Sequence, residues 1–179
     1  MLSIAAPFSR EAVFPQGEVT IRDIAGLYVF DNTLEAVELT GAELRAYLEE
    51  SASYSSQVPA TGEVTPAALA PTKPDYDYDT LSGVVYDLDV SSPEGERVTR
   101  LEVPDGTVVQ DADRFVVAVN DYRRGGGFPH VSGAEVVHDE QAEIRHLLID
   151  RAQDRQVIDP AGSAVDNWQL VRAGEPLFP

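Results

Sequence analysis

The chain predicts an α+β domain with mixed β-sheets and two main helices. Three observations carry that expectation. Several short runs are strand-like, either alternating, as in Gly83–Val90, or apolar on both faces, as in Phe115–Val119. Only two segments, beginning near Thr40 and near Asp139, repeat apolar residues at helical spacing. Strands and helices follow no regular βαβ order, so a doubly wound parallel sheet is not expected.

Val19–Ile24 reads as a short strand or the lead into one, running on to Leu27–Phe30. Leu34–Leu39 alternates in part and reads as the next strand. Thr40-Gly41-Ala42-Glu43 has the form of a capping box, in which the threonine accepts from the third helical amide and the glutamate reaches back. The helix that follows puts Leu44, Tyr47, Leu48 and Ala52 on one face and ends near Ser53. Residues 55–76, rich in Ser, Pro, Thr and Ala, read as a long surface loop. Asp75, Asp77 and Asp79 close it. A calcium loop of the EF-hand type would need glycine and glutamate where Thr80 and Tyr86 stand, so a solvated loop is expected.

In the strand Gly83–Val90, Val84, Tyr86, Leu88 and Val90 share one face, and Asp87 and Asp89 share the other. Pro104-Asp105-Gly106 is a hairpin turn between Val98–Val103 and Thr107–Val109. Phe115–Val119 is expected to be a central buried strand. A second helix, Asp139–Ala152, carries Ile144, Leu147, Leu148 and Ala152 on one face, and both helices should dock those faces on the sheet. Trp168, Leu170 and Val171 belong to a last strand.

At 179 residues and 43% hydrophobic, the chain can bury a proper core, and residues 1–179 read as one domain. The net charge of −18 repels nucleic acid duplexes and anionic membranes. The absence of cysteine rules out disulfides and thiolate catalysis. No run of about 18 apolar residues exists, so no membrane insertion is expected. Met1–Pro7 lacks the basic start of a signal peptide, so the signal of an exported parent would lie outside this chain. His130, His138 and His146 are spaced by eight and match no metal-site pattern; no nucleophile elbow, P-loop or G-x-G-x-x-G is present. No catalytic residue, metal or cofactor is expected in this chain.

Two distant segments carry the visible chemistry. Leu27-Tyr28-Val29-Phe30-Asp31-Asn32-Thr33-Leu34 and Asn120-Asp121-Tyr122-Arg123-Arg124-Gly125-Gly126-Gly127 each follow a strand-like run and set an aromatic beside an amide and a turn. Facing each other, Phe30 and Tyr122 could hold a flat heteroaromatic ring such as a nucleoside base. The glycine turn after Tyr122, with Gly125 and Gly126, allows close backbone approach. Equally, aromatics beside turns are commonly just edges of a core.

The order of the segments adds a resemblance. Ala5-Ala6-Pro7-Phe8, the Leu27–Leu34 segment, Leu39-Thr40-Gly41-Ala42-Glu43-Leu44 and Tyr47-Leu48-Glu49-Glu50-Ser51-Ala52 come in succession. Tyr76-Asp77-Tyr78-Asp79, Ser82-Gly83-Val84, Gly95-Glu96-Arg97 and Val117–Arg123 follow. Together they resemble the C-terminal domain of the 5′-nucleotidase superfamily, most nearly that of the bifunctional 2′,3′-cyclic-nucleotide 2′-phosphodiesterase/3′-nucleotidases, over residues 3–152.

The resemblance implies a nucleoside-binding domain whose partner is an N-terminal metallophosphoesterase domain of the same polypeptide. That domain would carry two divalent metals and the catalytic groups, so this chain alone would be inactive. By position, the stacking rings would be Phe30 and Tyr122, with Asn32 at the base edge and the backbone at Gly83 near the base. Where many relatives have Gly-Gly-Ile-Arg, this chain has Ala5-Ala6-Pro7-Phe8, which favours the cyclic-phosphodiesterase branch and leaves Arg10 as the candidate phosphate-facing arginine. Gly-Gly-Asp after the second aromatic is replaced by Gly125-Gly126-Gly127-Phe128. A periplasmic, cell-wall-associated or secreted location is implied. The alternative is a non-catalytic ligand-binding or cell-surface module with the same fold.

Overall fold

The computed structural model describes residues 1–7, 13–162 and 165–178. In chain order the strands are β1 (Leu2–Ala5), β2 (Thr33–Thr40), β3 (Thr80–Ser82), β4 (Val85–Asp89), β5 (Val98–Glu102), β6 (Arg114–Asn120), β7 (Glu135–Glu143), β8 (Trp168–Arg172) and β9 (Glu175–Pro176). The helices are α1 (Ile21–Leu27), α2 (Gly41–Ala52), α3 (Pro129–Ser132) and α4 (Ile144–Arg155). One sheet has the order β3-β1-β6-β2-β7 and the other β5-β4-β8-β9. Both are mixed. β1 is parallel to β6 and antiparallel to β3, while β4 is parallel to β8 and antiparallel to β5. The architecture is α+β, as the lack of βαβ order predicts.

Helix α2 is central to the core. Leu44, Tyr47, Leu48 and Ala52 are all at most 3% exposed, and they share one cluster with Val37 and Val117 of the first sheet and Leu88 and Leu101 of the second. The capping box forms as its sequence demands: Glu43 N–H donates to Thr40 Oγ1 (3.2 Å), and Thr40 N–H donates to Glu43 Oε2 (2.7 Å). At the other end the buried Arg97 donates to the carbonyls of Ala52 (2.6 Å) and Ser55 (2.7 Å), setting a cation against the negative end of the helix dipole. The strand expected at 83–90 forms over Val85–Asp89, the strand expected at Trp168–Val171 forms as β8 with the short β9 after it, and β6 is the middle strand of its sheet. The Pro104–Gly106 turn also forms, although beyond it only a single bridge, Glu102 to Val108, continues the hairpin.

Four expectations fail for identifiable reasons. Val19–Ile24 is not a strand. Thr20 and Asp23 cap each other reciprocally and start α1, so the first aromatic segment follows a helix. The helix expected at 139–152 begins only at Ile144, because residues 135–143 are drawn into β7 by pairing with β2, with two register shifts. Helix α4 does not dock like α2. It packs on α1 and against β7, with a cavity between Ile144, Leu148 and the first sheet; Ile144 and Leu148 are half-buried, and Leu147 stays 39% exposed. Finally, Asp79 is not solvated but 4% exposed, within the ionic cluster described next.

Candidate functional site

Two chain segments meet where β6 ends and β2 begins. Leu34 of β2 lies opposite Asn120 of β6, so the turn leading into β2 and the turn leaving β6 are neighbours. A cavity of about 310 Å³ opens between them, lined by Phe30, Asn32, Tyr76, Asn120, Tyr122 and Arg123. Three residues that sequence reasoning singled out, Phe30, Asn32 and Tyr122, are thus brought together from far apart in the chain. Phe30 and Tyr122 are 45% and 52% exposed, so both residues line the cavity while partly accessible to solvent.

A buried tyrosine organises the polar side of this cavity. The Tyr28 hydroxyl accepts from Asn32 Nδ2 (3.1 Å) and from Asn120 Nδ2 (3.4 Å), and the Tyr28 ring meets Phe30 edge-on with centroids 6.0 Å apart. Asn120 Oδ1 accepts from the Arg123 amide (2.8 Å), closing the turn that carries Tyr122. Asp121 accepts from the Thr33 amide (3.2 Å), tying the two turns to each other.

The Arg123 side chain points inward. Its guanidinium donates to Asp79 through Nε (2.9 Å) and Nη2 (3.0 Å) and to the Tyr76 carbonyl, and it lies 4.4 Å from the Phe128 ring centroid. The Tyr47 hydroxyl donates to the same carboxylate. Burial pushes the Asp79 carboxyl above the usual carboxylate range, against the opposing pull of Arg123 and Tyr47. Burial, with the Asp79 charge beside it, raises the Tyr47 hydroxyl, which therefore remains a donor. Arg124, next along, forks onto the buried Glu35 of β2. The turn is pinned at both arginines.

The other expected residues lie elsewhere. Gly125 and Gly126 belong to the wide turn after Tyr122, where Gly126 takes φ +149°, but neither lines the cavity. Gly83 sits at the far end of β1, at φ +96°, where a Cβ would come within 2.7 Å of the Leu2 side chain; packing accounts for it. Arg10 lies outside the described residues. Tyr28, Tyr76, Asn120 and Arg123 were not singled out as site residues, although Tyr28, Asn120 and Arg123 fall inside the two segments. Tyr76 had as signals only its place in the aspartate run and in the Tyr76–Asp79 segment of the resemblance. A second cavity, of about 420 Å³, lies behind Tyr28 and Asn120, but its walls are largely aliphatic, from Ile4, Leu27, Leu34, Ile144 and Leu148. Among the described residues, no group of three or more His, Asp or Glu side chains is placed to hold a metal ion.

Residues 1–133 match the family model of the 5′-nucleotidase C-terminal domain. The chain belongs to that family. As a 5′-nucleotidase C-terminal domain, it is 31% identical over 170 residues to the trifunctional nucleotide phosphoesterase protein of Bacillus subtilis; the match covers 87% of this chain and 11% of that protein. It is 30% identical to the 2′,3′-cyclic-nucleotide 2′-phosphodiesterase/3′-nucleotidase of Haemophilus influenzae, over 87% of this chain and 26% of that protein. A Staphylococcus aureus structure described as a 5′-nucleotidase, in complex with alpha-ketoglutarate, superposes with TM-score 0.76 at 30% identity, over 94% of this chain and 33% of that one. A 5′-nucleotidase precursor from Thermus thermophilus shares the fold, with TM-score 0.74 at 22% identity, over 98% of this chain and 32% of that one. The domain thus spans a third or less of the length of each of these relatives. Elements β7, α4, β8 and β9 lie beyond the family match.

Proposed function

We propose that this chain is the nucleoside-binding domain of a nucleotide hydrolase acting on 2′,3′-cyclic nucleotides and 3′-nucleotides. The observation that carries the proposal is the meeting of Phe30, Asn32 and Tyr122 around one open cavity. Two exposed rings can grip the faces of any base, at roughly 1–3 kcal/mol per stack. Asn32 gives its Nδ2 to Tyr28, and its Oδ1 accepts no bond from the described residues, so that oxygen is the group presented to a base edge.

The names of the similar proteins support a phosphoester substrate. In such a parent, hydrolysis belongs to a metallophosphoesterase domain holding two divalent metals. This domain's part is to bind the remote base and orient the phosphate toward it. A periplasmic, cell-wall-associated or secreted location is part of the same proposal.

Calorimetric titration of adenosine and of guanosine into the wild type and three variants tests this. Phe30→Ala and Tyr122→Ala should each weaken binding by roughly 1–3 kcal/mol. Asn32→Ala should reduce discrimination between bases more than overall affinity, because amides read edges and rings do not. Equal affinities in all four proteins would sink the proposal.

A further inference from the structure

The loop carrying Phe30 and Asn32 is held from one side by the start of α4. Arg145 Nε donates to the Tyr28 carbonyl (2.9 Å), and its Nη2 donates to the Val29 carbonyl (2.8 Å) and to Asp31 Oδ1 (2.8 Å). Next to it, the Ile144 amide donates to the Asn32 carbonyl (3.0 Å). One helical turn therefore binds residues 28, 29, 31 and 32, on both sides of Phe30. The Tyr28 and Val29 carbonyls lie just past the last residue of α1, where the backbone has turned extended at Tyr28.

We infer that Arg145 is a positioning residue for the nucleoside cavity, fixing the Phe30 wall before ligand arrives. This rests on the proposal that the cavity binds nucleosides. Three features separate the role from general stability. No residue of α4 is buried, so the helix contributes little to the core. The Asp31 side chain is 85% exposed, so the ion pair itself is weak, and the two carbonyl bonds are what hold the loop. The Tyr122 wall has an anchor of its own, Arg123 on Asp79, besides the Asp121–Thr33 bond that ties the two turns, so loss of Arg145 should loosen the Phe30 wall more than the Tyr122 wall. Arg145 also lies outside the family match at residues 1–133, which places a determinant of the site beyond it. A planar fork can reach three oxygens at once, and a lysine ammonium cannot reproduce that geometry.

The test uses Arg145→Met and Arg145→Lys in the full chain, with Phe30→Ala and Tyr122→Ala as references. Without the arginine, the loop must be ordered at the moment of binding, so adenosine affinity should fall roughly five- to tenfold in Arg145→Met, with a more unfavourable binding entropy, and less in Arg145→Lys. Amide exchange at residues 28–33 should accelerate, while exchange in β6 and the thermal midpoint stay close to wild type. If the two aromatic variants weaken binding but Arg145→Met leaves both affinity and exchange at 28–33 unchanged, the positioning role is overturned. If neither aromatic variant affects binding, the nucleoside cavity itself fails, and exchange at 28–33 alone then decides whether Arg145 holds the loop. Accelerated exchange throughout the protein in both Arg145 variants would overturn the positioning role in favour of a structural one.

Discussion

Asp79 is 4% exposed and accepts from two arginine nitrogens and a tyrosine hydroxyl, so its removal and the removal of one partner should differ sharply. Asp79→Ala leaves the Arg123 guanidinium buried without its counter-ion and should cost about 3–5 kcal/mol. Tyr47→Phe deletes one donor while the ion pair survives, and should cost about 1–3 kcal/mol. Urea denaturation of both variants checks this; equal losses would mean that the ion pair does not dominate the cluster. Sequence reasoning took the alternating aspartates for a solvated loop, because nothing local distinguishes Asp79 from Asp75 or Asp77. What selects Asp79 is Arg123, which lies 44 residues away in sequence. The meeting of Phe30, Asn32 and Tyr122 around one cavity was legible because each stood beside a turn in a segment of familiar order. Their supporting residues, Tyr28, Asn120 and Arg123, were present in the same segments, but nothing in the sequence shows which way those side chains point.

The two long helices share an apolar spacing but not an environment. Leu48 of α2 is 1% exposed, and Leu48→Ala should cost about 2–5 kcal/mol. Leu148 of α4 is half-buried beside a cavity, so Leu148→Ala should cost well under half as much. Comparable shifts in the unfolding midpoint would contradict the packing difference. Periodicity revealed α2 because its capping box, face and burial agree. It misplaced the start of α4 because β7 is an edge strand whose residues 135–141 are exposed, so the sequence shows no buried face there. It missed α1 because seven residues are too few for periodicity to outweigh a β-branched start.

A different element is held by charge. Asp89, at the end of β4, accepts from Ser91 N (2.8 Å), Ser91 Oγ (2.6 Å) and the amides of Ala173 (3.3 Å) and Gly174 (3.2 Å) in the β8–β9 turn. Burial works to raise its carboxyl, but the Ser91 bonds and the two turn amides outweigh it and hold it below the usual range. A depressed folded value means stabilisation that is complete above the unfolded value of about 3.9 and is lost as pH falls through the folded one. From pH 5 to 2 the wild type should therefore lose more thermal stability than Asp89→Asn, which carries no titrating group at this turn.

On the scale of the whole molecule, the mixed topology was only partly legible. The absence of βαβ order gave its class, but which strands pair in parallel depends on contacts between β1 and β6 and between β4 and β8 that no local pattern encodes. The chain's proposed chemistry is one-sided at this scale too: it has a cavity proposed above to take a base and, among the described residues, no cluster of metal ligands. On the division of labour proposed for the parent, the purified chain should not hydrolyse 2′,3′-cyclic AMP in the presence of manganese, cobalt or zinc. Metal-dependent turnover by contaminant-free protein would overturn the division of labour proposed for the parent.

The parallel pairing of β4 with β8 also bears on the protein's birth. Asp87 and Gln169, joined across that pair at 3.0 Å, are 82 residues apart. A ribosome adding about 5–20 residues per second delivers the second strand roughly 4–16 seconds after the first. Until then β4 can pair only with β5, and the edge later covered by β8 is open. The nascent chain therefore passes through an interval in which a strand edge is free to meet another chain, and the arrival of β8 ends it.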